Sequence, residues 1–189
     1  MRPRSSERGS GGLEPLPPRR KWRAITLATL IFAPASWFVL TGYVAGSVGD
    51  GSPASAAASL ALGLVLIPFV FIVLAFLSEH PRAPSAVLKA MALGLVVGVL
   101  VSAAAVDGIT GLVAGVGAGG IVALRPDHHD WRSRALGVVL VTVWTFALVR
   151  GVGPIALLPA PILPLTAIGL ADHLSERREH RAQRVDGAA

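Results

Sequence analysis

Twenty-six consecutive residues without a charged side chain separate Arg23 from Asp50, and 28 more separate Asp50 from Glu79. Runs of this kind constrain the fold more than any motif does. A globular surface must be largely polar, so a soluble core cannot hide such segments one after another. A membrane can: a helix needs about 20 apolar residues, within a range of about 17 to 25, to cross a hydrocarbon layer of about 30 Å. The first run loses its apolar character near Val44, and residues 56–77 supply a second span. The Gly-, Pro- and Ser-rich segment GDGSPAS between them reads as a turn.

The remaining runs extend the series. Residues 90–106 form a third apolar stretch with Lys89 at its start, whose long stem can reach the headgroups. Asp107 and Gly108 signal a tight turn, after which 108–124 is uncharged, short and Gly-rich. Residues 135–149 lie between Arg134 and Arg150, and 151–171 between Arg150 and Asp172. The expected fold is therefore all-α: a polytopic transmembrane helical bundle of about six spans, near 24–45, 56–78, 86–106, 108–124, 132–150 and 153–171. A basic disordered tail (1–22) precedes the transmembrane domain (23–171), and a basic tail (172–189) follows it. A cleaved leader is disfavoured for the first span, because a secretory core is only about 7 to 15 residues long.

Orientation tests the count. Cytoplasmic loops carry the Lys and Arg excess. With six spans and a cytoplasmic N-terminus, one side receives all the basic residues before Ala24, then Arg82 and Lys89, then Arg125, Arg132 and Arg134, then the four arginines after Asp172. Arg150 alone of the 17 Lys and Arg falls on the other side, with Asp50 and Asp107. Removing or fusing a span would scatter this segregation, so both termini are expected in the cytoplasm, at the inner (cytoplasmic) membrane of a bacterium. The net charge of +6 is thereby explained, and no nucleic-acid partner is expected, since no recognition motif accompanies it. Fifteen arginines against two lysines point to a GC-rich genome. The basic tails should attract anionic lipid headgroups.

Two features within the spans bear on function. Gly111, Gly115 and Gly119 recur every fourth residue in the fourth span, as do Gly94 and Gly98 in the third. Such strips let helices approach closely. Packing of one strip on the other within the chain is the simpler expectation, ahead of a homodimer interface or a cavity lining. The second feature is proline: Pro34 and Pro68 interrupt the first two spans, and the sixth carries Pro154, Pro159, Pro161 and Pro164. An interior proline deletes a backbone hydrogen bond and crowds the preceding turn, so a helix break is expected around Pro159, Pro161 and Pro164, which are also the candidates for lining a cavity. Broken helices build transport sites, although a purely structural kink is the simpler reading.

Other chemistry is thin. No ionisable side chain lies deep within a span, which disfavours proton-coupled transport; Thr29, Ser36, Ser102, Thr142 and Thr145 supply the polarity there. The loop DHHD (127–130) could bind a divalent metal only with help from Glu79, His80 or His173, and a solvated loop is the simpler account. With no cysteine, thiolate chemistry is absent. There is no Gly-rich phosphate loop with its Lys, nucleophile elbow or zinc-protease helix motif. Neither cofactor nor enzymatic activity is expected. The leading expectation is an accessory or assembly protein of the cell envelope, with the lipid bilayer, another membrane protein or a second copy as partners. The alternative is a small transporter or channel subunit for a neutral or lipidic solute.

Overall fold

Capping chemistry sets the helix boundaries in the computed structural model, which describes residues 18–48, 52–78, 82–125 and 131–186. These residues form six α-helices and no strand: α1 (Pro18–Val48), α2 (Pro53–Leu77), α3 (Ala83–Ala105), α4 (Gly108–Leu124), α5 (Trp131–Val152) and α6 (Pro159–Asp186). A 3-10 turn, Pro154–Leu157, joins the last two. At the start of α2, Pro53 occupies the first turn and the Ser52 hydroxyl accepts from the Ser55 amide at 3.2 Å. At the start of α4, the Asp107 carboxylate accepts from the amides of Ile109 at 3.2 Å and Thr110 at 3.1 Å. Both satisfy amides that have no partner within the helix.

The α3–α4 turn is tight because Val106 takes a left-handed conformation, φ 53° and ψ 37°. That conformation costs a non-glycine residue roughly 1–2 kcal/mol. Gly108 could have adopted it freely, but Gly108 is already the first residue of α4 behind the Asp107 cap.

Four helical stretches are long and apolar enough to cross a membrane: Lys21–Gly46, Pro53–Leu77, Ala83–Ala105 and Trp131–Val152. Gly108–Leu124 and Ile155–Ala171 are shorter apolar helices. The chain is thus an all-helical bundle compatible with a membrane. α1 begins earlier than the expected span, since residues 18–22 are helical and Lys21 is buried. Residues 1–17 of the expected tail lie outside the described residues.

α1 pairs with α2 along its length, and α3 with α4. The two hairpins meet around α4, which also touches α2, α5 and α6. Every α4 residue from Ile109 to Leu124 is buried except Leu112. A helix apolar all round belongs in an interior, and α4 has the side chains for it: small Gly, Ala and Val that let four neighbours close in. The main core joins Phe32, Phe71, Leu74, Val116, Ile121, Leu124 and Leu165. A second cluster, at the end of the bundle where α5 finishes, joins Ile109, Val113, Val149, Leu157 and Ala160.

The proline-rich segment has its break at the upstream edge. The helical path breaks upstream of it: α5 stops at Val152, Gly153 has φ +85°, and the 3-10 turn follows. Pro159 and Pro161 then fall in the first turn of α6, where the missing amide proton would have had no intrahelical acceptor in any case. Only Pro164 is interior, and α6 continues without interruption to Asp186.

Candidate functional site

The expected glycine strips face each other. A methyl group placed on Gly94 would lie 2.9 Å from the Gly115 carbonyl oxygen, and one on Gly98 3.3 Å from that of Gly111. In the reverse direction, methyls on Gly115 and Gly111 would run into the carbonyls of Gly94 and Gly98, and one on Gly119 would meet the Ala90 carbonyl at 2.6 Å. Backbone therefore lies on backbone from Gly111 to Gly119, through the middle of α4. Contacts of this closeness bring Cα–H groups against carbonyls and let dispersion act over the whole seam.

Pro161 is fully buried, and a methyl on Gly117 would come within 3.7 Å of it. Pro159 and Pro164 are half-buried on the same helix. Neither of the two cavities described below is lined by Pro159, Pro161 or Pro164.

The larger cavity, about 780 Å³, is a groove where α2 faces α3. Its walls are Leu64, Pro68 and Phe71 on one side and Met91, Leu95 and Val99 on the other. Gly94, Gly98 and Gly115 line it where side chains are absent, and Ser102 is its one polar residue. The glycine seam thus has two effects: it draws α3 onto α4, and it leaves a hollow beside the contact.

A smaller cavity of about 360 Å³ gathers Tyr43 from α1, Asp107 and Thr110 from the α3–α4 turn, and Val149 and Arg150 from the end of α5. Thr110 donates from both its hydroxyl and its amide to Asp107. Partial burial alone would raise the Asp107 pKa. The Thr110 hydroxyl and amide, the Ile109 amide and the nearby Arg150 charge outweigh that and hold the carboxyl below its ordinary 3.8. Arg150 also sits 5.9 Å from the Phe146 ring centre. The arrangement is a capped helix start whose carboxylate has a guanidinium nearby.

No protein-family model, curated protein or solved structure matches the chain. Its function must be argued from its own geometry.

Among the described residues no group of three or more His, Asp or Glu is placed to hold a metal. The DHHD loop, Glu79 and His80 lie outside the described residues, as does the side chain of His173. Sequence reasoning missed the corresponding seam in the first hairpin. There a methyl on Gly63 would lie 2.9 Å from the Ala35 carbonyl, and one on Gly42 2.8 Å from that of Ala56. Spacing alone could not have found it: Gly46 stands four residues from Gly42, yet nothing lies within 4 Å of where its side chain would be. The groove was also invisible, because it depends on how two hairpins sit against each other.

Proposed function

We propose that the chain is a multi-pass protein of the bacterial inner (cytoplasmic) membrane, crossing it six times with both termini in the cytoplasm. We propose further that it acts without catalysis, as a structural or assembly partner of other envelope components. The observation that carries this reading is the close packing around α4 beside broad apolar outer faces. α4 is enclosed by its neighbours, and hydroxyls at Thr29, Ser36 and Thr142 bond to carbonyls of their own helices. What remains for other molecules is the outside, where Leu88, Leu95, Val99 and Leu100 of α3 and Leu136, Val139, Leu140 and Val143 of α5 are exposed. Faces of that kind suit lipid and the helices of another membrane protein or a second copy.

The charge segregation supports the orientation. The basic residues Arg82, Arg125, Arg132 and Arg134 stand at the helix ends assigned to the cytoplasm, and Arg150 stands at the opposite end with Asp107. The basic tails favour anionic headgroups. A transport role through the proline-rich sixth helix has less support, since Pro161 is closed against Gly117. Affinity purification of the full chain in mild detergent, with identification of what accompanies it, tests the proposal. The expected result is a reproducible membrane-protein companion or a second copy. A chain that purifies alone and moves solute across reconstituted vesicles would overturn it.

A further inference from the structure

The smaller hollow stands where helices end, and its walls carry both signs of charge. Tyr43 comes from the last part of α1, Asp107 and Thr110 from the α3–α4 turn, and Arg150 from the last turn of α5. In a spanning bundle such positions fall at headgroup level, where the amphipathic ring of a tyrosine also settles. Tyr43, Val106 and Arg150 are all exposed, so the hollow opens outward.

Each of the two charges keeps bonding capacity in hand. A carboxylate offers about four acceptor positions, and Asp107 fills three of them, with the Ile109 amide and with the amide and hydroxyl of Thr110. Arg150 acts on Asp107 through its field and not through a hydrogen bond. Its guanidinium rests 5.9 Å from the Phe146 ring centre, a contact that uses the face of the group and leaves its five N–H donors available. Closing the arginine directly on the aspartate would gain little, because an exposed ion pair contributes little in water. A ligand that carries an anion and a cation a short reach apart satisfies both side chains at once.

Bilayer headgroups meet this arrangement unequally. A phosphate matches the planar fork of an arginine. A primary ammonium brings three N–H donors, one of which the remaining Asp107 position accepts, whereas a quaternary ammonium has none to give. A headgroup with a phosphate and no cation would set like charge beside Asp107 without relief. We propose that the hollow binds the headgroup of phosphatidylethanolamine, with its phosphate on Arg150 and its ammonium on Asp107. The inference rests on the membrane-spanning reading above, and not on which compartment this end of the bundle faces.

The test uses the full chain in mild detergent with equal amounts of phosphatidylethanolamine, phosphatidylglycerol and phosphatidylcholine, and counts bound lipid by native mass spectrometry. Wild type should carry one phosphatidylethanolamine per chain, about tenfold in preference to the other two. R150Q removes an exposed charge, so it should keep helix content while losing that preference. D107N keeps a side-chain oxygen for the α4 cap and should bind phosphatidylglycerol as well as phosphatidylethanolamine. L140W, on the exposed face of α5 away from the hollow, should bind as wild type does. Phosphoethanolamine without acyl chains should displace the lipid only weakly; if the free compound bound as tightly, the lipid source would be refuted. The proposal is overturned if wild type shows no preference among the three lipids, or if R150Q and D107N both retain it. A chain that stayed in solution without detergent would instead refute the membrane-spanning reading itself.

Discussion

Most hydroxyl groups with a partner along these helices bond to a carbonyl about one turn earlier, and Thr145 has no such bond. Thr26, Thr29, Ser36, Thr41, Thr142 and Thr166 each donate to the carbonyl four residues earlier. Thr145 is fully buried on the face of α5 between Val141 and Val149, and its hydroxyl has no partner among the described residues. An unsatisfied buried polar group costs about 1–3 kcal/mol, and valine matches threonine in shape. T145V should therefore raise the thermal midpoint in detergent, by an amount equivalent to about 1 kcal/mol. A lowered midpoint would mean that the hydroxyl is bonded in the purified protein. Asp107 gives the opposite expectation. D107A removes the α4 cap and should cost about 0.5–2 kcal/mol. Because folding depresses the Asp107 pKa below its ordinary 3.8, the stability its charge supplies is present above that value and lost as pH falls through the folded one. Wild type should lose stability in that acid range by an increment missing in D107N, measured as the difference between their midpoints across pH. The sequence showed Asp107 as a turn residue; that Val106 rather than Gly108 bears the positive φ was not legible, because it follows from where the cap places the first residue of α4.

Helices in lipid associate through shape, and the α3–α4 seam is the closest fit in the bundle. G115L should separate the two helices and cost about 1–3 kcal/mol or more. G46L, with open space around the same kind of glycine, should leave the midpoint unchanged. If the two substitutions proved equally damaging in a thermal melt, contact between the backbones would not be what holds the seam. Much of this element-scale picture was readable beforehand. Charges bracketed the apolar runs, so six helices could be placed, and the four-residue spacing singled out Gly94, Gly98, Gly111, Gly115 and Gly119. The proline segment signalled a break without its place, for a physical reason. Proline breaks a helix only if it lies inside one, and whether Pro159 and Pro161 are inside depends on where α6 begins. That start is set by Gly153 and the 3-10 turn, and nothing in the run of prolines announces it.

Across the whole molecule, charge decides direction and packing decides order. Reporter domains fused after Leu77 and Arg125 should lie in the cytoplasm, and those fused after Asp107 and Gly151 on the far side, as read by a reporter active in only one compartment. A reporter beyond Asp172 on the side opposite the N-terminus would remove the sixth crossing. The arrangement of the hairpins about α4 was not legible, since the uncharged runs look alike in hydropathy and differ mainly in side-chain size. That difference is the clue in retrospect, because α4 is built almost wholly from Gly, Ala, Val and Ile. Its enclosure also bears on how the protein answers its surroundings. At 17 residues and 1.5 Å per residue, α4 is roughly 25 Å long, at the short end of what crosses the hydrocarbon layer. It has almost no surface on which a mismatch could act. A thicker or thinner bilayer would tilt and strain the outer helices while the axle at the centre keeps its length, insulated from the thickness of the membrane around it.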